Sequence, residues 1–216
     1  MPGRSLLDSL LALLFPDRCA GCARLGALLC RDCRAALIPY PGGPRQLPPG
    51  VADIRIAFVF EGPLREIVHQ FKYRRVRRLA QPLGALLAAR FAAGPLLVDA
   101  ALPIPLHSDR LAERGFNQAE ALAEEVACVL RLALINEGLA RIRATEQQAR
   151  LDAHSRQENM RGAFRWQGTA APPRRVLLVD DVLTTGATMG ACAEALRAAG
   201  AEVVYGLALA RSRPDR

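Results

Sequence analysis

At 216 residues, with 29 basic against 21 acidic side chains, 51% apolar and 5% aromatic residues, the chain has room for one ordinary domain and a small appendage, and its composition excludes disorder and collagen. No apolar stretch approaches the roughly 20 residues of a membrane-spanning helix, so no transmembrane span is expected. The net charge of +8 comes almost entirely from arginine, Lys72 being the only lysine, and favours anionic partners without choosing between phosphorylated metabolites and nucleic acid.

The first segment places Arg4 ahead of a leucine-rich stretch, a faint imitation of a secretory signal. It runs into Pro16-Asp17-Arg18 instead of a small-residue cleavage site. Leu6, Leu7, Leu10, Leu11 and Leu14 form the stripe of a short amphipathic helix, expected to dock on the protein's own core or on a partner.

Cys19, Cys22, Cys30 and Cys33 follow as C-x2-C, seven residues, C-x2-C. Two such pairs can turn four thiolates inward on tight knuckles, the set a tetrahedral structural zinc ion requires, and four thiolates leave no open position for catalysis. A pair of disulfides is the alternative. The rest of the chain reads as cytoplasmic, where thiols stay reduced. A thioredoxin-like redox pair is weaker still, because neither pair opens a helix after a buried strand. Cys128 and Cys192 sit singly in alanine-rich helices and are expected in the core.

From Pro39 to Gly50, eight of twelve positions are proline or glycine, which predicts a linker with neither helix nor ladder. The expected organisation is therefore a leucine-rich helix and four-cysteine zinc unit over 1–38, a linker over 39–50 and a main domain over 51–216. In that domain strands are predicted at Ile54–Phe60, Leu97–Ile104, Val176–Val179 and Val203–Leu209. Helices are predicted at Leu64–Tyr73, Leu79–Ala93, about Asn117–Leu134, with Ala121, Leu122, Val126, Val129 and Leu130 as its apolar face, and near Thr188–Ala199. A polar stretch separates Arg143 from Arg161. Strands alternating with helices predict an α/β fold, a mostly parallel sheet covered on both faces.

The most informative run is Val176-Leu177-Leu178-Val179-Asp180-Asp181-Val182-Leu183-Thr184-Thr185-Gly186-Ala187-Thr188. A wholly apolar strand ends in two carboxylates, then a threonine- and glycine-rich turn feeds a helix. Unpaired N–H groups and hydroxyls at a helix N-terminus suit a dianionic phosphate, which the two acids would repel. The acids are placed instead to accept hydrogen bonds from a sugar diol, and phosphate plus diol at that separation describes a ribose 5-phosphate. A Walker A loop needs Gly-Lys-Thr or Gly-Lys-Ser, and the dinucleotide fingerprint G-x-G-x-x-G is absent.

This run resembles the phosphoribosyl pyrophosphate (PRPP) loop of type I phosphoribosyltransferases. Pro103-Ile104-Pro105-Leu106-His107, then Arg110 and Arg114-Gly115-Phe116-Asn117-Gln118, resemble the P-V-P-L-H and R-G-F-N-Q pattern of the ComF family of competence-associated phosphoribosyltransferase-like proteins. The spacing of Arg141, Thr145, Gln148, Leu151, Arg156, Asn159 and Ala163-Phe164 and the paired cysteines fit the same family, so the likeness covers nearly the whole chain. After Lys72-Tyr73, where the family often has a glycine, this chain has Arg74-Arg75-Val76-Arg77-Arg78, a departure that bears on the local loop shape.

The resemblance implies a type I phosphoribosyltransferase-like fold with a hood segment. It implies PRPP held by Asp180, Asp181, Thr184, Thr185, Gly186, Ala187 and Thr188, with Asp180 and Asp181 as the catalytic acids on the ribose hydroxyls. Pro105, Leu106, His107 and Arg114, with Lys72 and Arg110 as further cations, would face the pyrophosphate, which magnesium would neutralise. Thr145, Gln148, Arg156 and Asn159 would belong to a mobile lid that excludes water during transfer. Relatives that use 6-oxopurines place a carboxylate where this chain has Thr184, which argues against that acceptor class. Three functions compete: a PRPP-dependent transferase with an unidentified acceptor, whose site the zinc unit would help to form; a scaffold whose zinc unit and leucine-rich N-terminus dock on a membrane-associated uptake machine; and a non-catalytic PRPP sensor in DNA uptake or repair. In the sensor reading, the basic run from Lys72 to Arg78 would track single-stranded DNA and Tyr73 would stack on a base.

Overall fold

Val176-Leu177-Leu178-Val179 has no polar face, so it is stable as a strand only if helices cover it on both sides. The computed structural model, which describes residues 16–42, 47–94, 96–143, 160 and 162–212, meets that requirement. Strands β1 (Asp53–Val59), β2 (Ala100–Pro103), β3 (Ala133–Leu134), β6 (Arg175–Leu183) and β7 (Val203–Arg211) form one sheet in the order β1-β7-β6-β2-β3. All of its pairings are parallel. A separate antiparallel hairpin joins β4 (Leu139–Arg141) to β5 (Phe164–Trp166). Among the described residues the helices are α1 (Arg31–Ala35), α2 (Pro63–Tyr73), α3 (Ala80–Ala92), α4 (Ser108–Arg114), α5 (Gln118–Leu130) and α6 (Ala187–Ala198), with a 3-10 turn over Arg77–Leu79. Among the described residues no helix is long and apolar enough to cross a membrane.

The period of two along β6 divides the core. Val176 and Leu178 pack with Met189, Cys192 and Leu196 of α6, whereas Leu177 and Val179 pack with Phe71, Leu83 and Leu122 from α2, α3 and α5. On the second face α3 and α5 approach closely at Gly84, where a β-carbon would lie 2.3 Å from Glu125 Cβ. Gly84→Ala is therefore expected to cost about 1–3 kcal/mol and lower the melting temperature by several degrees, as a thermal denaturation would show.

Several expectations need correction. β6 runs four residues past Val179 and takes Asp180 and Asp181 into the strand, so these acids do not lie at an exposed strand end: Asp181 is 7% exposed. The helix expected to reach Leu134 stops at Leu130, because Arg131 adopts a left-handed φ of 56° and Ala133–Leu134 then pair with β2. Val129 and Cys128 face solvent on its outer side, whereas Cys192 is buried.

The proline-rich stretch does join a ladder. Ile38 O accepts from Val59 N at 2.8 Å and Tyr40 N donates to Ala57 O at 3.0 Å, so Pro39 sits between them where its missing N–H would have pointed outward. Further on, Pro48 and Pro49 lie so close to Gly186 and Gly190 that a β-carbon at either glycine would meet a proline ring carbon at 2.8 Å.

The arginine run departs from its expected loop in an informative way. Arg75 takes a left-handed φ of 56°, a conformation glycine adopts freely, and is held there by Nη2 donating to Glu113 O at 2.7 Å.

Candidate active site

Because consecutive residues of a strand face opposite sides, Asp180 and Asp181 diverge. Asp181 turns to the α2 side, where Lys72 Nζ lies 2.9 Å from its Oδ2, and both side chains are largely shielded. Asp180 turns to the α6 side and accepts the Asp181 N–H at 2.8 Å. Burial first, and then the neighbouring Asp181 carboxylate, push the Asp180 carboxyl up to about 7, against the opposing pull of Lys72, the Asp181 N–H and Arg114.

β6 then delivers the chain to α6 through Thr184-Thr185-Gly186. Gly186 caps the helix at φ 84°, with Pro48 against it, so both the backbone conformation and the space demand glycine. Thr185 Oγ1 accepts the Ala187 N–H at 3.3 Å. Thr184, Gly186 and Thr188 line a cavity of about 220 Å³ whose wall also contains Asp180, Asp181 and Lys72.

The opposite wall is built by the segment after β2. His107 caps α4, its Nδ1 accepting the Asp109 N–H at 3.3 Å, and is not among the residues that line the cavity, whereas Pro105 and Leu106 are. Gly115 ends α4 at φ 79°. Asn117 then opens α5, its Oδ1 accepting from Ala119 N at 3.1 Å and its Nδ2 donating to Ile104 O at 3.0 Å, which ties the helix to the β2 loop. Arg114 is 9% exposed; its Nη1 donates to Gln118 Oε1 at 2.9 Å, and its guanidinium lies 5.5 Å from the Tyr73 ring centroid. Arg110 from α4 and Arg141 from the β4 strand complete the cavity. Burial, and then the positive charge of Arg110, hold the Arg141 guanidinium below its ordinary pKa. Four cationic side chains thus face two carboxylates in one cavity.

The sequence pointed to Asp180, Asp181, Lys72, Thr184, Gly186, Thr188, Pro105, Leu106, Arg110 and Arg114, and these meet in the cavity. Thr185, Ala187 and His107 are not among the lining residues: Thr185 accepts the first N–H of α6, from Ala187, and His107 caps α4. Arg141, Asn117 and Gln118 also line it, although the sequence had marked them only as parts of a motif. The lid candidates Thr145, Gln148, Arg156 and Asn159, like the leucine-rich stripe, lie outside the described residues.

Away from this cavity, the sulfur atoms of Cys19, Cys22, Cys30 and Cys33 all lie within 4.8 Å of one another. Cys30 N donates to Cys19 Sγ and Cys33 N to Cys30 Sγ, each at 3.4 Å, as expected of knuckles that turn sulfur inward. Burial alone would push the Cys19 thiol up, but the N–H groups of Cys30, Gly21 and Cys22 bring it down to about 6, whereas burial and the neighbouring thiols push the Cys33 thiol up. The donor set fits a closed tetrahedral zinc site.

The basic run is mostly engaged within the chain. Arg77 Nη2 reaches both Glu124 oxygens of α5 at 3.0 and 2.7 Å, and Arg78 forms a two-point pair with Asp17 of the four-cysteine unit at 2.7 and 3.1 Å. With Lys72 on Asp181 and Arg75 on Glu113, the segment fastens the four-cysteine unit, α4 and α5 to the cavity's edge. Tyr73 is 54% exposed beside His69.

Residues 111–215 match the model of the phosphoribosyl transferase domain. The chain is 34% identical over 202 residues to DNA utilization protein YhgH of Salmonella typhimurium, covering 90% of this chain and 88% of that protein. It is also 34% identical over 157 residues to Competence protein F of Haemophilus influenzae, covering 69% of each. Among solved structures, TT1426 from Thermus thermophilus aligns with a TM-score of 0.38 at 20% identity, over 65% of this chain and 85% of that one. With a phosphoribosyl transferase domain, a cluster of four cysteines ahead of it and relatives of this identity along most of its length, the chain belongs to the ComF family of phosphoribosyltransferase-like proteins.

Proposed function

We propose that the protein binds PRPP with magnesium and transfers its phosphoribosyl group to an acceptor, releasing pyrophosphate. The observation that carries this reading is one cavity holding, in sequence, a helix N-terminus with threonine hydroxyls, a pair of carboxylates and a buried arginine. In this reading the 5-phosphate sits on Thr184, Gly186, Thr188 and the first N–H groups of α6, where the helix dipole favours a dianion. Asp180 and Asp181 accept the ribose hydroxyls, and Lys72, Arg110 and Arg114 take the pyrophosphate.

The transfer breaks the C1–O bond, whose electron pair leaves with pyrophosphate, while an acceptor nucleophile bonds to C1 and gives up its proton. The protein's contribution is to orient both partners and stabilise separating charge, with the carboxylates at the ribose hydroxyls and the cations at the leaving group. Magnesium, when bound, supplies further neutralisation of the pyrophosphate. The closed four-cysteine site is read as a structural zinc centre that shapes its own unit.

The relatives' names tie them to DNA utilization and competence, and we take that as the setting in which the activity works. Arg77 and Arg78 are already paired within the chain, which counts against the basic run as a DNA track. Incubation with PRPP, magnesium and fractionated metabolites is expected to yield pyrophosphate together with a mass increased by a phosphoribosyl group. Failure to release pyrophosphate above the rate of uncatalysed hydrolysis in any fraction would contradict the transferase reading.

A further inference from the structure

Arg114 carries a charge the fold has left unneutralised. It is 9% exposed, and its guanidinium makes one side-chain hydrogen bond, to the neutral amide of Gln118 at 2.9 Å. Its Nε is buried without a hydrogen-bond partner, and among the described residues no carboxylate stands within ion-pair distance of it. Taking a guanidinium out of water costs several kcal/mol, which proteins ordinarily offset with a carboxylate. Asp180 feels the positive charge of Arg114 but makes no direct pair with it.

Gln118 is itself 1% exposed and cannot turn freely, because its Nε2 donates to Phe116 O at 3.2 Å and so aims Oε1 at the guanidinium. Tyr73 closes one face of Arg114. A glutamate at 118 would pair with the buried cation but could not donate to Phe116 O. Glutamine fixes the guanidinium in place and leaves its whole charge to the cavity.

We propose that Gln118 is a positioning residue that holds Arg114 as an unneutralised cation for the leaving pyrophosphate. This inference rests on the phosphoribosyl reading and adds to it what keeps the leaving-group end of the cavity positive. A carboxylate at 118 would cancel that charge and repel the departing anion, and its second oxygen would lose the hydrogen bond that Gln118 Nε2 donates to Phe116 O.

The test uses the full, zinc-loaded chain, titrated calorimetrically with PRPP and, separately, with ribose 5-phosphate, both with magnesium. Gln118→Glu is expected to weaken PRPP at least about tenfold and to change ribose 5-phosphate less than about twofold. In an Arg114→Met background, Gln118→Met is expected to change PRPP affinity less than about twofold, because the tether then has no guanidinium to hold. Should Gln118→Glu fail to fold, Gln118→Met, which removes the tether and keeps the charge, is expected to weaken PRPP by roughly threefold or more.

Unchanged PRPP affinity in whichever variant folds, or equal losses for both ligands, overturns the role of Gln118 and leaves the PRPP reading standing. A parent protein that binds neither ligand overturns both.

Discussion

Replacing Asp180 and Asp181 together by asparagine is expected to weaken PRPP binding by about a hundredfold or more. Above the pH at which Asp180 ionises, two charge-assisted hydrogen bonds to the ribose diol become neutral ones, at roughly 1–2 kcal/mol each. Calorimetric titration checks this, and equal affinity in the double variant would contradict the diol assignment.

The two acids are expected to separate in their effects on stability. Asp180, with its carboxyl pushed up to about 7, retains a proton in the folded protein that an unfolded aspartate releases near 4. Stability therefore falls as pH rises from about 4 to about 7, and the full penalty applies above that window. Asp180→Asn should remove the penalty and raise the melting temperature at pH 8 by at least about 3 °C, with little change at pH 4. Asp181→Asn should lower it, because it strands the shielded Lys72.

The second large effect concerns the four-cysteine unit. Purified under reducing conditions, the chain is expected to carry one zinc held by Cys19, Cys22, Cys30 and Cys33. Chelation, or Cys19→Ser with Cys33→Ser, is expected to unfold that unit, since metal binding contributes on the order of 10 kcal/mol to the folding of small zinc modules. α1 spans only five residues and is too short to persist alone. Hydrogen exchange should then show lost protection across residues 17–37 while the amides of β6 and β7 stay protected. A metal-free protein with residues 17–37 still protected would refute the assignment.

What could be read from the sequence was chemistry contiguous in the chain. The phosphate loop, the acid pair and the paired cysteines each lie within fifteen residues, so their spacing alone constrains geometry. Period and composition likewise located β1, β6, β7 and most of α2, α3, α5 and α6. Hidden from that reading were contacts that only the tertiary fold creates. Lys72 meets Asp181 across more than a hundred residues, and Pro48 and Pro49 pack against Gly186 and Gly190. The arginine run looked like an open cationic track because Glu124 and Asp17, its partners, are far away in sequence. Short elements were lost for another reason: β3 has two residues and β4 and β5 three each, too few for a period to register. Their effect is nonetheless local to the site, because β4 carries Arg141 into the cavity.

The most direct measurement of the central claim is a calorimetric titration of PRPP with magnesium into the zinc-loaded chain, repeated in the presence of saturating ribose 5-phosphate. The account expects one PRPP site per chain, with apparent affinity falling in proportion to the competitor, because both ligands place a phosphate on the α6 N-terminus and a diol on Asp180 and Asp181. Absence of PRPP binding, or binding that ribose 5-phosphate leaves untouched, would contradict it.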